Sequence, residues 1–154
     1  MTKVPHENTV RAWARLLKAQ QLALAQVERA LKAEELPPLA WYDVLLELER
    51  AGETGLRPYE LEREMLLAQY NLSRLLDRIE RAGYVTRRAC DDDGRGQVIV
   101  ITERGKVLRR KMWPIYSHAI EAAVGRHLSA KQSDALSDLL GLVIEGSKTS
   151  SALR

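Results

Sequence analysis

The stretch QYNLSRLLDRIERAGYVTRRACDDDGRGQVIVIT, residues 69–102, decides the fold because its residue pattern changes along its length. Over 69–82 the apolar side chains recur at i, i+3, i+4 and i+7, which predicts an amphipathic helix that ends at Gly83. Residues 84–90 and 97–102 instead carry β-branched and aromatic residues that favour strands. A short loop that contains glycine separates the two strands, so we expect a hairpin.

Three helices are predicted before this stretch, over 8–34, over 39–51 and from Pro58 onward. Pro37 ends the first, because proline lacks the amide donor of a helix and its ring crowds the preceding turn. Gly52 is expected to cap the second, and Pro58 suits the first position of the third, where its missing N–H would be unpaired in any case. A short turn joins the third helix to the helix over 69–82, as a helix-turn-helix requires.

Two more helices are expected after the hairpin. Thr102 is a candidate N-cap for a long helix over 103–126, which Pro114 should kink or interrupt. A capping box begins the last helix at Ser129, and the tail over 148–154 is expected to be flexible.

The expected fold is mainly α with a small β-hairpin, in which residues 37–102 form a winged helix-turn-helix domain. The flanking helices, in 1–36 and 103–147, cannot bury their apolar faces by themselves. They could pack on each other, on the middle of the chain or on a second chain, and the last arrangement gives a symmetric dimer.

Composition narrows the class of protein. With 45% hydrophobic and 29% charged residues, the 154-residue chain has the balance of a globular protein that buries a core without disulfides. Cys90 is the single cysteine, so a reducing compartment fits. No apolar run is long enough for a membrane span, and the first residues lack the apolar core of a signal peptide, so we expect a cytoplasmic protein. The net charge of +3 permits nucleic-acid binding without establishing it.

The outer face of the helix over 69–82 suggests a function. Its Gln, Asn, Ser and Arg side chains are the types that contact base edges and phosphates. Over 69–88 there are five arginines against Asp77 and Glu80, a net charge of +3, which equals the excess of the whole chain. A solvated surface face is the plain alternative, but the hairpin that follows favours a DNA-reading helix with a wing.

At this point the sequence resembles the MarR family of winged helix-turn-helix transcriptional regulators. NLSRLLDRIERAGYVTRR resembles the recognition helix and the following strand of that family. DGRGQVIVITERG is similar to its wing pattern Asp-x-Arg, a strand, then Thr-x-x-Gly, which here places Asp93, Arg95, Thr102 and Gly105. MWPIY resembles the Trp-Pro of the next long helix, and the likeness covers about residues 39–116.

The resemblance implies a homodimer in which 1–36 and 103–147 form a helical dimerisation region. Two winged domains would then bind a pseudo-palindromic operator on double-stranded DNA, with half-sites about 34–36 Å apart. Arg95 at the wing tip would enter the minor groove, and Asp93 would hold it in its pose. The implied DNA-binding residues are Gln69, Tyr70, Asn71, Ser73, Arg74, Arg78, Arg88, Asp93 and Arg95.

The resemblance also implies a ligand-responsive repressor, because members of the family commonly release DNA when a small, often aromatic, ligand or an oxidant acts. Their ligand pocket usually lies between the dimer region and the winged domain. Its candidate lining residues here are Trp13, Trp41, Tyr42 and Trp113. Ordinary core packing is the alternative role for these aromatic side chains. No cofactor is expected beyond such a small aromatic effector.

A metal site in the aspartate-rich loop is the first rival interpretation. With Gly94 at the sixth position of an EF-hand loop, Ala89 and Val100 occupy the first and twelfth positions, which need oxygen ligands. Cys90 and the histidines lack the spacing of a zinc site. We therefore expect no metal there.

A catalytic site and a protein-binding module are the other rivals. Asp91 to Asp93 are expected at an exposed hairpin tip, where carboxylates are not held for acid–base work, so we expect no enzyme. Near a phosphate backbone, Asp91 and Asp92 would weaken binding unless they point away or make local turn contacts. A winged domain that only contacts proteins stays an alternative, since fold does not fix function. The arginines of the helix and the wing are the feature that favours DNA.

Overall fold

The computed structural model describes residues 3–90 and 96–152. In chain order its elements are α1 (Glu7–Ala33), α2 (Leu39–Ala51), a 3-10 turn (Gly52–Thr54), α3 (Pro58–Glu64), α4 (Leu72–Arg81), β1 (Val85–Ala89), β2 (Gln97–Ile101), α5 (Glu103–Ala123), a second 3-10 turn (Gly125–His127) and α6 (Ala130–Ser151). The fold is mainly helical with a two-stranded antiparallel hairpin, which confirms the expected class.

The chain divides into two compact units. Ala25–Ser117 form the winged unit, and Met1–Leu24 together with His118–Arg154 form the terminal unit. The winged unit is wider than the 37–102 predicted from the sequence. Its core includes buried side chains from the second half of α1 and the first half of α5, namely Val27, Leu31, Leu108 and Met112. The predicted boundaries of this domain lie at prolines and helix caps. A long helix can, however, contribute to the core of one unit and continue into another.

All helices of the winged unit and its hairpin contribute side chains to one core. Side chains with at most 1% of their surface exposed come from α1, α2, α3, α4, the hairpin and α5, and they include Leu31, Val44, Leu45, Leu48, Leu61, Leu76, Ile79, Val85, Ile99 and Met112. Burying one such aliphatic side chain stabilises the fold by about 1.5–3 kcal/mol. This core fixes α4 and the hairpin on one support.

The hairpin is anchored to the segment before α3. Its strands pair from Val85 opposite Ile101 to Ala89 opposite Gln97. Leu56 joins the same sheet, because its N–H donates to the Ile99 carbonyl at 3.0 Å and its carbonyl accepts from the Ile99 N–H at 2.8 Å. The preceding residue, Gly55, has a φ of +67°, and a Cβ there would lie 2.5 Å from the Ile99 carbonyl oxygen. Only glycine fits this close crossing without strain.

The junction between the hairpin and α5 is a second close contact. The Thr102 hydroxyl donates to the Gly83 carbonyl at 2.8 Å and accepts the Gly105 N–H at 3.1 Å, so Thr102 caps α5 as predicted. A Cβ on Gly105 would lie 2.2 Å from the carbonyl oxygen of Tyr84. The Thr-x-x-Gly pattern therefore has a packing reason, since the first turn of α5 presses against the chain that enters β1.

The start of α4 differs from the prediction of a helix over 69–82. The helix begins only after Asn71, whose side-chain oxygen accepts the Arg74 N–H at 3.1 Å. An asparagine cap satisfies an amide that has no partner inside the helix, so it ends the preceding turn rather than extending the helix backward. Gln69 and Tyr70 consequently lie in the turn and not on the helix.

The last two helices also depart from the sequence expectations. The α5 helix passes Pro114 without a break and ends at Ala123, before the predicted residue 126. The α6 helix reaches Ser151, inside the 148–154 tail whose flexibility stays a prediction. Hydroxyl groups near its end donate to the carbonyl four residues earlier, at Ser147, Thr149, Ser150 and Ser151. No helix in the described part of the chain is long and apolar enough to span a membrane.

Candidate nucleic-acid interface

The α4 helix separates an apolar face from a basic one. Leu72, Leu75, Leu76 and Ile79 are at most 9% exposed and bind the helix to the core. The opposite face is exposed and carries Ser73, Arg74, Asp77, Arg78 and Arg81. Within the described residues, none of its three arginines forms an ion pair, so their guanidinium groups are available to another molecule.

The turn before α4 brings further predicted site residues to the same end of the helix. Tyr70 is fully exposed and Asn71 is exposed, while Gln69 is half-buried. Because Asn71 is the N-cap, its side-chain oxygen is occupied by the Arg74 amide. We therefore assign Asn71 first to shaping the helix start, and its side-chain amide donors remain for other partners.

Arg87 ties strand β1 to α4. Its guanidinium donates to Asp77 at 2.9 Å and to Glu80 at 2.8 Å, one residue on each turn of the helix. The charged side chains of residues 69–88, whose net charge is +3, therefore fall into two groups. Both acidic side chains are engaged by Arg87, and the outer arginines are left without acidic partners on α4. The sequence signal was present in the i, i+3 spacing of Asp77 and Glu80, which places them on one side of a helix.

Arg88 points to a different neighbour. Its guanidinium donates to the backbone carbonyl of Glu53, in the turn after α2. Sequence reasoning placed Arg88 among the DNA-binding residues, and the structure joins it to the protein backbone at the edge of the hairpin. The alternation of a strand separates Arg87 and Arg88 onto opposite faces, which explains why neighbours in sequence have such different partners.

We define the wing as β1, β2 and the residues between them. Arg57 lies at the base of this wing. Its guanidinium donates to the Cys90 thiol at 3.2 Å, and a Cβ on Gly96 would lie 3.3 Å from the same group. Sequence reasoning did not single out Arg57. The predicted wing-tip residues Asp93 and Arg95, together with Asp91 and Asp92, lie outside the described residues.

This arrangement of helix, turn and wing is matched by known proteins. The sequence model of the MarR family matches residues 36–96, which contain α2 to the base of the wing. The structure superposes on Sco3205 of Streptomyces coelicolor, a MarR family transcriptional regulator solved in complex with DNA, with a TM-score of 0.84. The two sequences are 26% identical, and the match covers 95% of this chain and 91% of that one. Residues 36–96 thus match the MarR family, and the fold of the chain is similar to that of MarR family transcriptional regulators.

Two further MarR family structures show how widely the fold is shared. AbsC, also from Streptomyces coelicolor, is 25% identical with a TM-score of 0.81, over 96% of this chain and 99% of that one. A mutant of E. coli MarR, complexed with operator DNA, has a TM-score of 0.75 over 91% and 99% of the two chains. At 22% identity that likeness concerns the fold alone. No curated protein sequence matches the chain significantly.

The aromatic residues predicted to line a MarR-type ligand pocket fall into separate groups. Tyr42 and Trp113 stack with ring centroids 6.1 Å apart, and Tyr116 meets them edge-on at 5.0 and 5.8 Å. Trp41 instead contacts Tyr84 at 6.0 Å. Adjacent residues of a helix point about 100° apart, so Trp41 and Tyr42 diverge. Trp13 belongs to the terminal unit, where it is 61% exposed.

The Tyr42 cluster has a polar edge. Arg109 donates to the Tyr42 hydroxyl at 3.5 Å and to the Glu49 carboxylate. Burial alone would lower the pKa of Arg109, but its hydrogen bonds to Glu49 and Tyr42 raise the pKa above the ordinary value. Burial, with the nearby charge of Asp43, raises the pKa of the Tyr116 phenol. Sequence reasoning missed Tyr116, although its position three residues after Trp113 on one helix was the available signal.

The terminal unit presents large apolar side chains to solvent. On α1 these are Val10, Trp13, Leu17 and Leu22, and on α6 they are Leu136, Leu139, Leu142, Val143 and Ile144. No residue of α6 is buried. Within the described residues, no group of three or more His, Cys, Asp or Glu side chains could hold a metal ion.

Proposed function

We propose that this protein is a MarR family regulator, that it binds double-stranded DNA through α4 and the wing, and that it acts as a homodimeric, ligand-responsive repressor on a pseudo-palindromic operator. The observation that carries the DNA-binding part is the outer face of α4. Three exposed arginines and a serine stand there, and among the described residues the arginines have no acidic partner, since Arg87 engages Asp77 and Glu80. Such a face fits the major groove, where arginine reads guanine and short polar side chains contact bases and phosphates.

Two DNA-bound structures with the same fold support this assignment. The structures of Sco3205 and of an E. coli MarR mutant contain DNA, the latter operator DNA, and both share the fold of this chain. Their DNA-bound state concerns those proteins, and the exposed arginines of α4 extend it to this one. Arg95 and Asp93 complete the proposal at the wing, where arginine enters a narrow minor groove.

The homodimer rests on the terminal unit. Soluble monomers seldom expose contiguous apolar patches beyond a few hundred square ångströms. Leu139, Leu142 and Val143 are each more than half exposed, and they follow the i, i+3, i+4 pattern of a helix that packs against another. A second copy of the chain supplies the same face, which gives a symmetric contact and sets two winged units side by side for two half-sites.

The effector site is proposed at the stacked pair Tyr42 and Trp113. Aromatic rings favour an aromatic ligand, and Arg109 beside Tyr42 offers a cation to an acidic or polar substituent. A ligand that binds there and shifts α2 or α5 would change the support of α4, so DNA release would follow from differential binding to the two states. No cofactor takes part in this proposal.

Selection of DNA from the source genome tests the DNA-binding proposal. Fragments retained by the protein should share a pseudo-palindrome whose half-sites are separated by about one helical turn. Affinity for such a site should fall about 10³-fold or more between 50 and 200 mM salt if several phosphates are contacted. A flat salt response with no enriched sequence would favour the alternative, a winged module that contacts only proteins.

Matched variants locate the binding face. Replacing Arg74 by alanine should weaken operator binding by about 1–3 kcal/mol and relax the sequence preference, as expected for a base-reading arginine. Arg29→Ala removes another exposed positive charge, on α1, and should change affinity little. Arg95→Ala should weaken operator binding while the dimer persists, and unchanged affinity would remove the wing from the proposal.

A further inference from the structure

Asp43 is a buried carboxylate in the middle of α2. Only 3% of its surface is exposed, and it is the one buried charged or polar residue in the described part of the chain. Its neighbours in the sequence, Tyr42 and Val44, are buried apolar or aromatic side chains. Moving a carboxylate from water into such surroundings is unfavourable unless hydrogen bonds compensate it. The residue must therefore have a specific partner.

That partner is the backbone of the turn before α4. The Leu67 N–H donates to Oδ2 of Asp43 at 2.9 Å, over 24 residues of sequence. The α3 helix has ended by then, since its C-cap, Met65, is extended with φ −64° and ψ 141°. An amide in an irregular segment has no helical partner of its own. A carboxylate gives it a charge-assisted hydrogen bond, which is stronger than a bond to a neutral acceptor.

The position of Leu67 determines where the reading face begins. Gln69 and Tyr70 follow within three residues, and the cap Asn71 then starts α4. Base-edge recognition needs side chains placed within about half an ångström, whereas phosphates accept a charge from a wider range of positions. A fixed turn backbone therefore matters more for sequence reading than for general attraction to DNA.

We propose that Asp43 is a positioning residue for DNA reading: its carboxylate holds the Leu67 amide and so fixes the turn that leads into α4. This inference rests on the proposed function, because it assumes that α4 reads bases. It adds a residue of α2, far from the DNA-facing surface in sequence, that controls selectivity and leaves general DNA affinity unchanged.

The acceptor is the property to vary. Asp43→Ala removes it, Asp43→Asn keeps an acceptor oxygen without the charge, and Asp43→Leu removes it while filling the volume. Should the alanine variant not fold, the leucine variant provides the same test. Val44→Ala is the matched control, since Val44 is fully buried beside Asp43 and its truncation destabilises the core without touching the Leu67 bond.

Two measurements are made on each full-length variant. The first is hydrogen exchange at the Leu67 amide, which should lose protection in the alanine and leucine variants and keep most of it in the asparagine variant. The second is the ratio of affinities for the selected operator and for random DNA of equal length. It should fall about tenfold without the acceptor, comparable to the loss of one base contact, and the asparagine variant should restore most of it.

The outcomes separate this inference from the proposed function. If the wild-type protein prefers no sequence, the proposed function fails, and the positioning role fails with it. If the wild type is selective and the alanine and leucine variants are equally selective, only the positioning role is wrong. A loss of selectivity in Val44→Ala as large as in Asp43→Ala would also overturn it, because general destabilisation would then explain the effect.

Discussion

The α4 and α6 helices both carry large aliphatic side chains and use them in opposite ways. In α4 the four large apolar residues are at most 9% exposed, and the polar side faces outward. In α6 Leu139, Leu142, Val143 and Ile144 are 62, 72, 55 and 54% exposed. The apolar side of α4 is buried in the core of its own unit, so only the polar side of this helix is open to another molecule. In the part of the chain that the structure describes, the apolar side of α6 stays exposed, which is why the proposed dimer contact is placed there.

Placing charge on the apolar side of each helix should have the largest effect. Leu139→Asp combined with Leu142→Asp should abolish the proposed dimer, because unpaired carboxylates in a desolvated interface cost several kcal/mol each. The winged unit should stay folded, since both residues are exposed in α6. Sedimentation of the double variant should give the monomer mass, with circular dichroism close to that of the wild type.

Leu76→Asp is the counterpart in α4. This side chain is 1% exposed in the core of the winged unit, so the same chemical change should unfold that unit rather than dissociate a dimer. The interpretation of α6 fails if the double variant still sediments as a dimer, and that of α4 fails if Leu76→Asp keeps its native melting transition.

Glycine-to-alanine substitutions should have the next largest effect, with opposite signs where the surroundings are tight and where they are open. Gly105→Ala should destabilise the winged unit by about 1–3 kcal/mol or more, because the new Cβ would press on the Tyr84 carbonyl. Gly146→Ala in α6 meets no atom within 4 Å and should stabilise the helix by about 0.5–1 kcal/mol. Urea unfolding of both variants measures the difference, and equal free energies of unfolding would contradict it.

The same contrast explains what the sequence could predict. The periodicity over α4 and the β-branched hairpin identified the winged fold, and the caps at Thr102 and Ser129 are where local sequence placed them. Caps and turns depend on neighbours within a few residues, so a sequence contains them in full. The predicted start of α4 is wrong because Asn71, which suits the apolar periodicity of a helix over 69–82, is the N-cap.

The site was less predictable because its contacts are distant in sequence. Arg87 was counted as part of a basic surface, yet it pairs with Asp77 and Glu80 once β1 lies beside α4. Asp43 reaches Leu67 across 24 residues, and no local pattern announces that contact. Such pairings depend on how elements pack, which periodicity alone does not specify.

Arg87→Ala tests the division of charge on α4 with a smaller effect. The ion pairs are half-exposed, so their loss should lower the free energy of unfolding by no more than about 1 kcal/mol. The free energy of DNA binding should fall by more than the free energy of unfolding does, because Asp77 and Glu80 would then add unpaired negative charge beside the arginines. Arg87→Lys should recover part of the affinity by restoring the charge without the two-pronged geometry.

Fluorescence anisotropy with operator DNA, at several salt concentrations, measures the effect of Arg87. The deficit of Arg87→Ala should shrink as salt rises, since added ions screen the exposed carboxylates. A salt-independent deficit would point to a displaced strand β1 instead. Equal affinity for the variant and the wild type would show that the acidic pair has no influence on DNA binding.

The smallest effect concerns Tyr116, whose half-buried phenol contrasts with the exposed Tyr59. Burial, reinforced by the charge of Asp43, raises the pKa of Tyr116 above its ordinary value of 10.0. Below that value the phenol is neutral in both the folded and the unfolded chain, so its contribution to stability is constant. As pH rises through the folded pKa, the unfolded chain has already released its proton, and the contribution is lost.

The free energy of unfolding of Tyr116→Phe should therefore decrease less above pH 10 than that of the wild type, because phenylalanine has no proton to release. Urea unfolding at about pH 8 and about pH 11 measures this, and the difference between variant and wild type cancels the other groups that titrate there. Tyr59→Phe, which removes a hydroxyl from a side chain in solvent, should follow the wild type at both pH values. If the free energy of unfolding of Tyr116→Phe and of the wild type changed equally with pH, the pKa of the Tyr116 phenol would not be raised in the folded protein.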